Sequence, residues 1–268
     1  MKLKDKKKQL ISNIRALKSF IVAFSGGVDS TFLLAVSHEI LGDEVIAVTA
    51  DSPLHPKTEK EAAIQLAKDI GVKHIVITSK EMGQPDFIQN STNRCYLCKT
   101  MLFNDMLSIA REKDIPSVVH GANIDDLQDI RPGMRAAKVL GIASPLIEAS
   151  LAKDDIRELS KEMGLKTWDK PSMACLASRI PYGVTLSLKR LGMVEDAEAV
   201  LLEMGFGSCR VRYHGDVARI EIPMTDIPHV FIKDVQRNIV KRLRSIGFIH
   251  VSLDLEGYVQ GSMNRGVS

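Results

Sequence analysis

Apolar runs and one-sided apolar stripes alternate through the first half of the chain. Residues 20–24 (Phe-Ile-Val-Ala-Phe) form a short apolar run, and residues 30–41 continue as a helix-like stretch. Residues 45–49 hold Val-Ile-Ala-Val, which reads as a strand buried on both faces. Pro56 opens a predicted helix over 57–70, and Gly71 suits its C-terminal cap. Strands are predicted over 73–78 and 117–121, with a helix over 95–111 between them. This rhythm predicts an α/β fold, a doubly wound parallel sheet with ligands at the carboxyl ends of its strands. Four loops fall there: 25–30, 49–53, 78–84 and 120–126.

The pattern changes further on. Ser150 is placed to cap a helix running to Met163, which Gly164 ends. Residues 166–183 show no clean period, contain two prolines and hold the single tryptophan, so they read as a functional loop or a linker. A helix over 186–204, a hairpin of 209–213 and 217–222, a helix over 232–245 and a strand over 248–253 make a small α+β unit. The expected domains are 1–182 and 183–268, the second serving substrate binding or oligomerisation.

Composition narrows the class. The chain has 268 residues, 45% hydrophobic and 26% charged, enough to bury a core. A net charge of +3 gives no argument for a nucleic-acid partner. The basic start, Lys2-Leu3-Lys4-Asp5-Lys6-Lys7-Lys8, reads as the wet face of a helix whose apolar positions are Leu3, Leu10, Ile14 and Leu17, with an RNA-binding arm as the other reading. Without an export signal or a membrane-spanning run, four cysteines point to a reducing, cytoplasmic setting and to chemistry or metal rather than disulfides.

The first chemical candidate is Ser25-Gly26-Gly27-Val28-Asp29-Ser30, between a predicted strand and a predicted helix. Its glycines let backbone N–H groups approach an anion, and the helix dipole favours negative charge there. Asp29, an acid at an anion site, points to a metal travelling with the phosphates. The spacing is not GxxxxGK[ST], and the lysine of that motif is missing. The motif resembles the PP-loop of the ATP pyrophosphatases, which split ATP between its α and β phosphates. That resemblance implies ATP and Mg2+ at Ser25, Gly26, Gly27, Asp29 and Ser30. After the fourth strand, His120-Gly121-Ala122-Asn123-Ile124-Asp125-Asp126 resembles the segment lining the ATP site in such enzymes, with Gly121 close to the nucleotide and Asp126 on Mg2+. A capped helix start with acidic first-turn residues accounts for the same pattern. Thr49 ends the second strand, where fold topology places adenine contacts through its backbone.

Cys95 and Cys98 form a CxxC at a predicted helix start, on one side of its first turn, where the dipole favours negative charge. A redox pair, structural zinc, unliganded cysteines and a cluster completed by Cys175 all compete. Cys209 begins a predicted strand and reads as a small core residue. Cys175 lies in Pro171-Ser172-Met173-Ala174-Cys175-Leu176-Ala177-Ser178-Arg179-Ile180-Pro181-Tyr182-Gly183, a polar loop that favours an accessible thiol.

With the PP-loop upstream and Arg210-Val211-Arg212-Tyr213-His214-Gly215 downstream, this loop resembles the LarE-type ATP-dependent sulfur transferases, over nearly the whole chain. Those enzymes help make the nickel-pincer nucleotide of lactate racemase. The resemblance implies pyridinium-3,5-biscarboxylic acid mononucleotide as substrate, adenylation of its carboxylates and their conversion to thiocarboxylates. In one branch the loop cysteine, here Cys175, surrenders its own sulfur. In the other it joins a CxxC, here Cys95 and Cys98, to hold a 4Fe–4S cluster; the three cysteines together match that branch. A sulfur donor and a homo-oligomer are implied as partners. Arg210 and Arg212 alternate on one strand face, where their guanidinium forks suit a phosphate, unless that face is solvated and paired with Glu221. Arg179 is expected on ATP or on the substrate phosphate. Glu198, Glu221 and His229 are candidates for a metal or subunit contact, or are simply exposed. A tRNA thiolase, an amidating ligase and a zinc-stabilised ATP-binding regulator are the competing functions.

Overall fold

The apolar runs of the first half pair as one parallel sheet. The computed structural model describes residues 1–127, 132–171, 173–259 and 261–265. In it, β1 (Phe20–Ala23), β2 (Val45–Asp51), β3 (Lys73–Thr78) and β4 (Ser117–His120) lie in the order β3-β2-β1-β4, every pair parallel. β1 is central, so both its faces must be apolar. Phe20 and Val22 pack into a core with α1 (Leu3–Leu17), α2 (Val28–Leu41) and α3 (Lys57–Ile70). Ile21 points the other way, to Phe103 and Met106 of α5 (Arg94–Glu112) and to Ala136 of α6 (Pro132–Val139). α4 is the single turn Pro85–Ile88. The basic start is the outer face of α1, whose Leu10 and Ile14 are buried.

Three local features differ from the expectation. α6 and α7 (Pro145–Glu148) each open on a proline, which suits the first helical turn, in a stretch that carries too few apolar repeats to announce them. Ser150 does not cap the next helix. It sits at φ +55° in the turn after α7, its N–H bonded to Ile147 O, and α8 (Lys153–Glu162) starts from Ala152, whose N–H donates to the Asp155 carboxylate at 2.8 Å.

Contacts group the chain into two units, Met1–Phe87 with Thr92–Met173, and Ile88–Ser91 with Ala174–Ser268. This grouping puts Cys175 and Arg179 in the second unit, together with a short upstream segment. Asn90 explains this: its amide donates to the carbonyls of Pro181 and Val184 at 2.8 and 3.1 Å, and Gly183 N–H donates to Asn90 O. Within the second unit, β5 (Arg210–His214) and β6 (Val217–Glu221) form an antiparallel hairpin, and β7 (His250–Leu253) adds to β6 in parallel. α9 (Leu188–Glu203), α10 (Ile227–Val230) and α11 (Lys233–Ile246) supply the rest of its core, with Leu201, Val211, Ile220, Leu243 and Phe248 buried together. Cys209 precedes β5 and packs as a core residue. Burial, then the nearby Glu198 carboxylate, pushes its thiol up to about 12. Among the described residues no helix is long and apolar enough to cross a membrane.

One glycine fixes the join of β4 to α2. A Cβ on Gly121 would stand 2.9 Å from Ser30 N and 3.0 Å from Ser30 Cα. Gly121→Ala should therefore destabilise the protein by about 1–3 kcal/mol in chemical denaturation, because the backbone of α2 has to give way. Gly192, inside α9, has nothing within 4 Å of its would-be Cβ. Gly192→Ala should stabilise by roughly 0.5–1 kcal/mol through helix propensity alone. An unchanged midpoint for Gly121→Ala would contradict the contact.

Candidate functional site

The loop after β1 is shaped by its own small residues. Gly26 takes φ +69°, and a Cβ there would meet Ala63 Cβ at 3.1 Å, so α3 can lie against the loop only if residue 26 is bare. Gly27 is the N-cap of α2 and offers no side chain to the first-turn N–H groups. Ser30 Oγ lies 3.1 Å from Ser25 Oγ and donates to Gly27 O at 3.2 Å, closing the loop on itself. The result is a helix N-terminus at the carboxyl edge of a parallel sheet, with glycines where an anion would approach.

Charged groups surround this turn. Asp29 Oδ2 accepts from Lys153 Nζ at 2.6 Å, whereas Asp29 Oδ1 is buried with no hydrogen-bond partner. Lys170 Nζ donates to Gly26 O at 3.2 Å and to Glu59 at 2.7 Å. Arg157 holds the chain leading to that lysine, its two terminal nitrogens donating to Trp168 O and Lys170 O at 2.8 and 2.9 Å. Neither Lys153 nor Lys170 stands out in the sequence as a loop partner. The signal that could have found Lys153 is a cation at the first position of a helix, where the dipole disfavours it.

Residues after β4 serve the protein as well as any ligand. At Gly121 the position a Cβ would take is filled by the first turn of α2. Asp126 Oδ2 accepts Asn123 N–H at 3.0 Å, and Asn123 Oδ1 accepts Asp125 N–H at 2.9 Å, the pattern of a self-capped turn. Asp125 reaches the Lys153 backbone N–H at 2.7 Å. Thr49 is 6% exposed; its hydroxyl donates to Phe24 O at 2.8 Å and meets His74 Nε2 at 2.8 Å, pinning β2 to the start of the loop. His120, beside Ser144 Oγ at 2.7 Å, has its pKa brought down to about 4 by burial and by Lys99, so its ring is neutral near pH 7.

Cys95 and Cys98 lie in the opening turns of α5, half-buried and outside any disulfide. Arg135 braces that helix start, its guanidinium 4.1 Å above the Tyr96 ring and donating to Asn93 Oδ1 at 3.0 Å. Among the described residues, no three His, Cys, Asp or Glu side chains are gathered closely enough to hold a metal ion.

In the second unit Cys175 is a half-buried thiol, just before the single turn Leu176–Arg179. Ser172 of its loop lies outside the described residues. Arg179 is not presented to a ligand. It is 0% exposed, bonds Glu198 through Nε and Nη2 at 2.9 and 3.1 Å, and turns Nη1 to Cys175 O at 3.0 Å and Ser178 Oγ at 3.1 Å. All three of its nitrogens bond within the fold, and what it fixes is the backbone of Cys175.

Arg210 and Arg212 do share a face of β5, but that face is buried rather than solvated. Glu221 lies opposite Arg210 in the hairpin register, yet its carboxylate bonds Arg212 Nη2 at 2.6 Å, Arg219 Nη2 at 3.0 Å and Ser262 Oγ at 3.0 Å. Arg210 donates to Cys209 O at 2.7 Å and stands 5.3 Å over the Tyr258 ring. Arg212 Nε is buried without a hydrogen-bond partner, a donor left over in a cluster rich in guanidinium. Glu198 and Glu221 are thus buried ion-pair members, and His229 packs edge-on against Phe206 at 5.4 Å. The three do not converge on one metal.

Residues 19–97 match the family model described as queuosine biosynthesis protein QueC. The chain is 39% identical to uncharacterised protein slr1717 of Synechocystis sp. over 264 residues, covering 98% of each. It is 37% identical to the pyridinium-3,5-bisthiocarboxylic acid mononucleotide synthase of Lactiplantibacillus plantarum, over 98% of this chain and 95% of that one. Identity to uncharacterised protein MJ0830 of Methanocaldococcus jannaschii is 31%, over 96% of both. A parallel α/β unit opening on Ser25–Ser30, a second unit carrying the cysteine loop, and identity of this extent across the whole length together place the chain in the PP-loop family of the pyridinium-3,5-bisthiocarboxylic acid mononucleotide synthases.

Proposed function

We propose that this chain is an ATP-dependent sulfur transferase acting on pyridinium-3,5-biscarboxylic acid mononucleotide, on the route to the nickel-pincer nucleotide of lactate racemase. A substrate carboxylate attacks the α-phosphorus of ATP, pyrophosphate leaves, and an acyl adenylate remains. A sulfur nucleophile then displaces AMP: a carbon–sulfur bond forms, a carbon–oxygen bond breaks, and a thiocarboxylate results. Repetition on the second carboxylate completes the product. The observation that carries this reading is the glycine loop at the N-terminus of α2, where the buried Asp29 Oδ1 has no partner.

The chain's own groups divide the work. First-turn N–H groups and the dipole of α2 hold the polyphosphate, with Lys170 adding positive charge beside Gly26. Asp29, with its bare oxygen, and Asp126 are the ligands we assign to Mg2+, which supplies charge neutralisation when bound. Arg210 and Arg212 bind the mononucleotide phosphate, and the unused Arg212 Nε supports that assignment. Arg179 holds the Cys175 backbone still.

Cys95, Cys98 and Cys175 are all thiols outside any disulfide, the donor type a 4Fe–4S cluster requires, and the proposal of such a cluster stands on that donor chemistry alone, since the described residues hold no ready-gathered metal site. When bound, such a cluster supplies an iron open to an external sulfide. The half-buried Cys175 thiol, on a backbone fixed by Arg179, also suits a second reading in which Cys175 donates its own sulfur. Exposed Met224, Phe231, Ile232 and Leu255 on the second unit suit assembly into a homo-oligomer in the cytoplasm.

Pyrophosphate release should require both ATP and the carboxylated mononucleotide, and should fall at least about tenfold when the nucleotide lacks its phosphate, because hydrogen bonds to charged groups are lost. Release indifferent to the nucleotide would overturn the reading. Reconstitution with iron and sulfide under anaerobic conditions should give a visible charge-transfer absorption that Cys95→Ala abolishes; an unchanged spectrum in that variant would refute the cluster.

A further inference from the structure

Lys153 is badly placed for its own helix. It is the first residue of α8, where the helix dipole is positive and where Asp154 and Asp155 are the stabilising residues. The helix is fixed without it, since Asp155 caps the Ala152 N–H at 2.8 Å and pairs with Lys6. What Lys153 does instead is bridge two loops at the carboxyl edge of the sheet. Its backbone N–H donates to Asp125 Oδ2 at 2.7 Å, in the loop after β4, and its Nζ donates to Asp29 Oδ2 at 2.6 Å, in the first turn of α2. The two side chains are 27% and 22% exposed, so the pair is partly shielded from solvent.

Asp29 is the more telling partner. A carboxylate has about four lone-pair sites. Here one oxygen is held by an ammonium and the other is buried with no donor at all. A buried carboxylate oxygen left bare lowers stability unless something else meets it. The ammonium and the bare oxygen belong to one carboxylate, so a second cation approaching Oδ1 shares that carboxylate's charge with Lys153.

We propose that Lys153 is the resident counter-ion of Asp29 and competes with a divalent cation for its carboxylate. The lysine neutralises Asp29 before the polyphosphate arrives, which keeps an anion site from carrying an uncompensated negative charge. It also weakens binding of the bare metal, so that metal is taken up with its nucleotide rather than ahead of it. This rests on the proposed function, in which Asp29 meets a divalent cation, but not on the identity of the carboxylated substrate. Lys153 is a positioning residue in this scheme, since it acts through Asp29.

The test is Mn2+ binding to the full-length, nucleotide-free protein, read from the electron paramagnetic resonance of free Mn2+. Lys153→Met should bind Mn2+ about two- to fivefold more tightly than the wild type, the factor that loss of one partly exposed ion pair allows. Lys153→Arg, which keeps the charge, should match the wild type. Adding Asp29→Asn to Lys153→Met should remove the gain. Lys153→Gln serves in the same way if the Met variant does not fold. Equal or weaker Mn2+ binding without the lysine charge, a gain that survives Asp29→Asn, or no Asp29-dependent binding in any variant overturns the proposal. A purely structural clamp between α8 and α2 would lower stability and leave Mn2+ affinity unmoved. The assay contains no substrate, so its outcome is separate from that of pyrophosphate release.

Discussion

The arrangement at the carboxyl edge of the sheet depends on how closely the first turn of α2 is wedged between β4 and α3. On one side a Cβ at Gly121 would stand 2.9 Å from Ser30 N; on the other, a Cβ at Gly26 would stand 3.1 Å from Ala63 Cβ. Packed protein interiors absorb such overlaps poorly, so both positions have to be glycine for the turn to lie where it does. The rest of the loop follows from that placement. Gly27 leaves the first-turn N–H groups without a side-chain cap, Ser25 and Ser30 close the loop through their hydroxyls, and Thr49 fastens Phe24 O from β2. Two lysines arrive from later in the chain to balance the carboxylates of Asp29 and Glu59.

The second unit is organised by a different constraint, the burial of charge. Arg179 with Glu198 and Arg212 with Glu221 are ion pairs almost wholly removed from water. Desolvating such pairs offsets most of their mutual attraction, and apolar side chains of similar size often do as well or better. Their presence is better explained by what they position. Arg179 threads the cysteine loop through the carbonyl of Cys175, and Glu198 extends the network to the Val211 N–H at 3.0 Å. Glu221 gathers Arg212, Arg219 and Ser262 around one carboxylate. The unused Arg212 Nε marks where that network still lacks an acceptor.

Much of the fold was readable because residues 20–24 and 45–48 are apolar on both faces, and a strand of that kind belongs inside a parallel sheet. The turn at Ser25–Ser30 was readable for a similar reason: paired glycines between an apolar strand and a helix start allow the tight strand-to-helix connection seen between β1 and α2. α6 and α7 were not, since each is short and announced mainly by a proline. The buried face of Arg210 and Arg212 was visible as alternation, but alternation cannot distinguish a wet face from an internal polar cluster. Arg179 suggested a ligand contact because a lone arginine in a loop carries no sign of the carboxylate that awaits it 19 residues on. Lys153 was harder still. Its partner lies 124 residues away, and only the folded chain brings them together.

In the proposed reaction the activated carboxylate exchanges oxygen for sulfur. The most direct measurement is mass spectrometry of nucleotide and intact protein after turnover with ATP, the carboxylated mononucleotide and sulfide on the reconstituted protein. The expected product is a nucleotide in which sulfur has replaced carboxylate oxygen, with the protein mass unchanged. A product without sulfur, despite pyrophosphate release, would contradict the sulfur-transfer claim. A sulfur-bearing product accompanied by conversion of Cys175 to dehydroalanine would contradict the cluster-borne source.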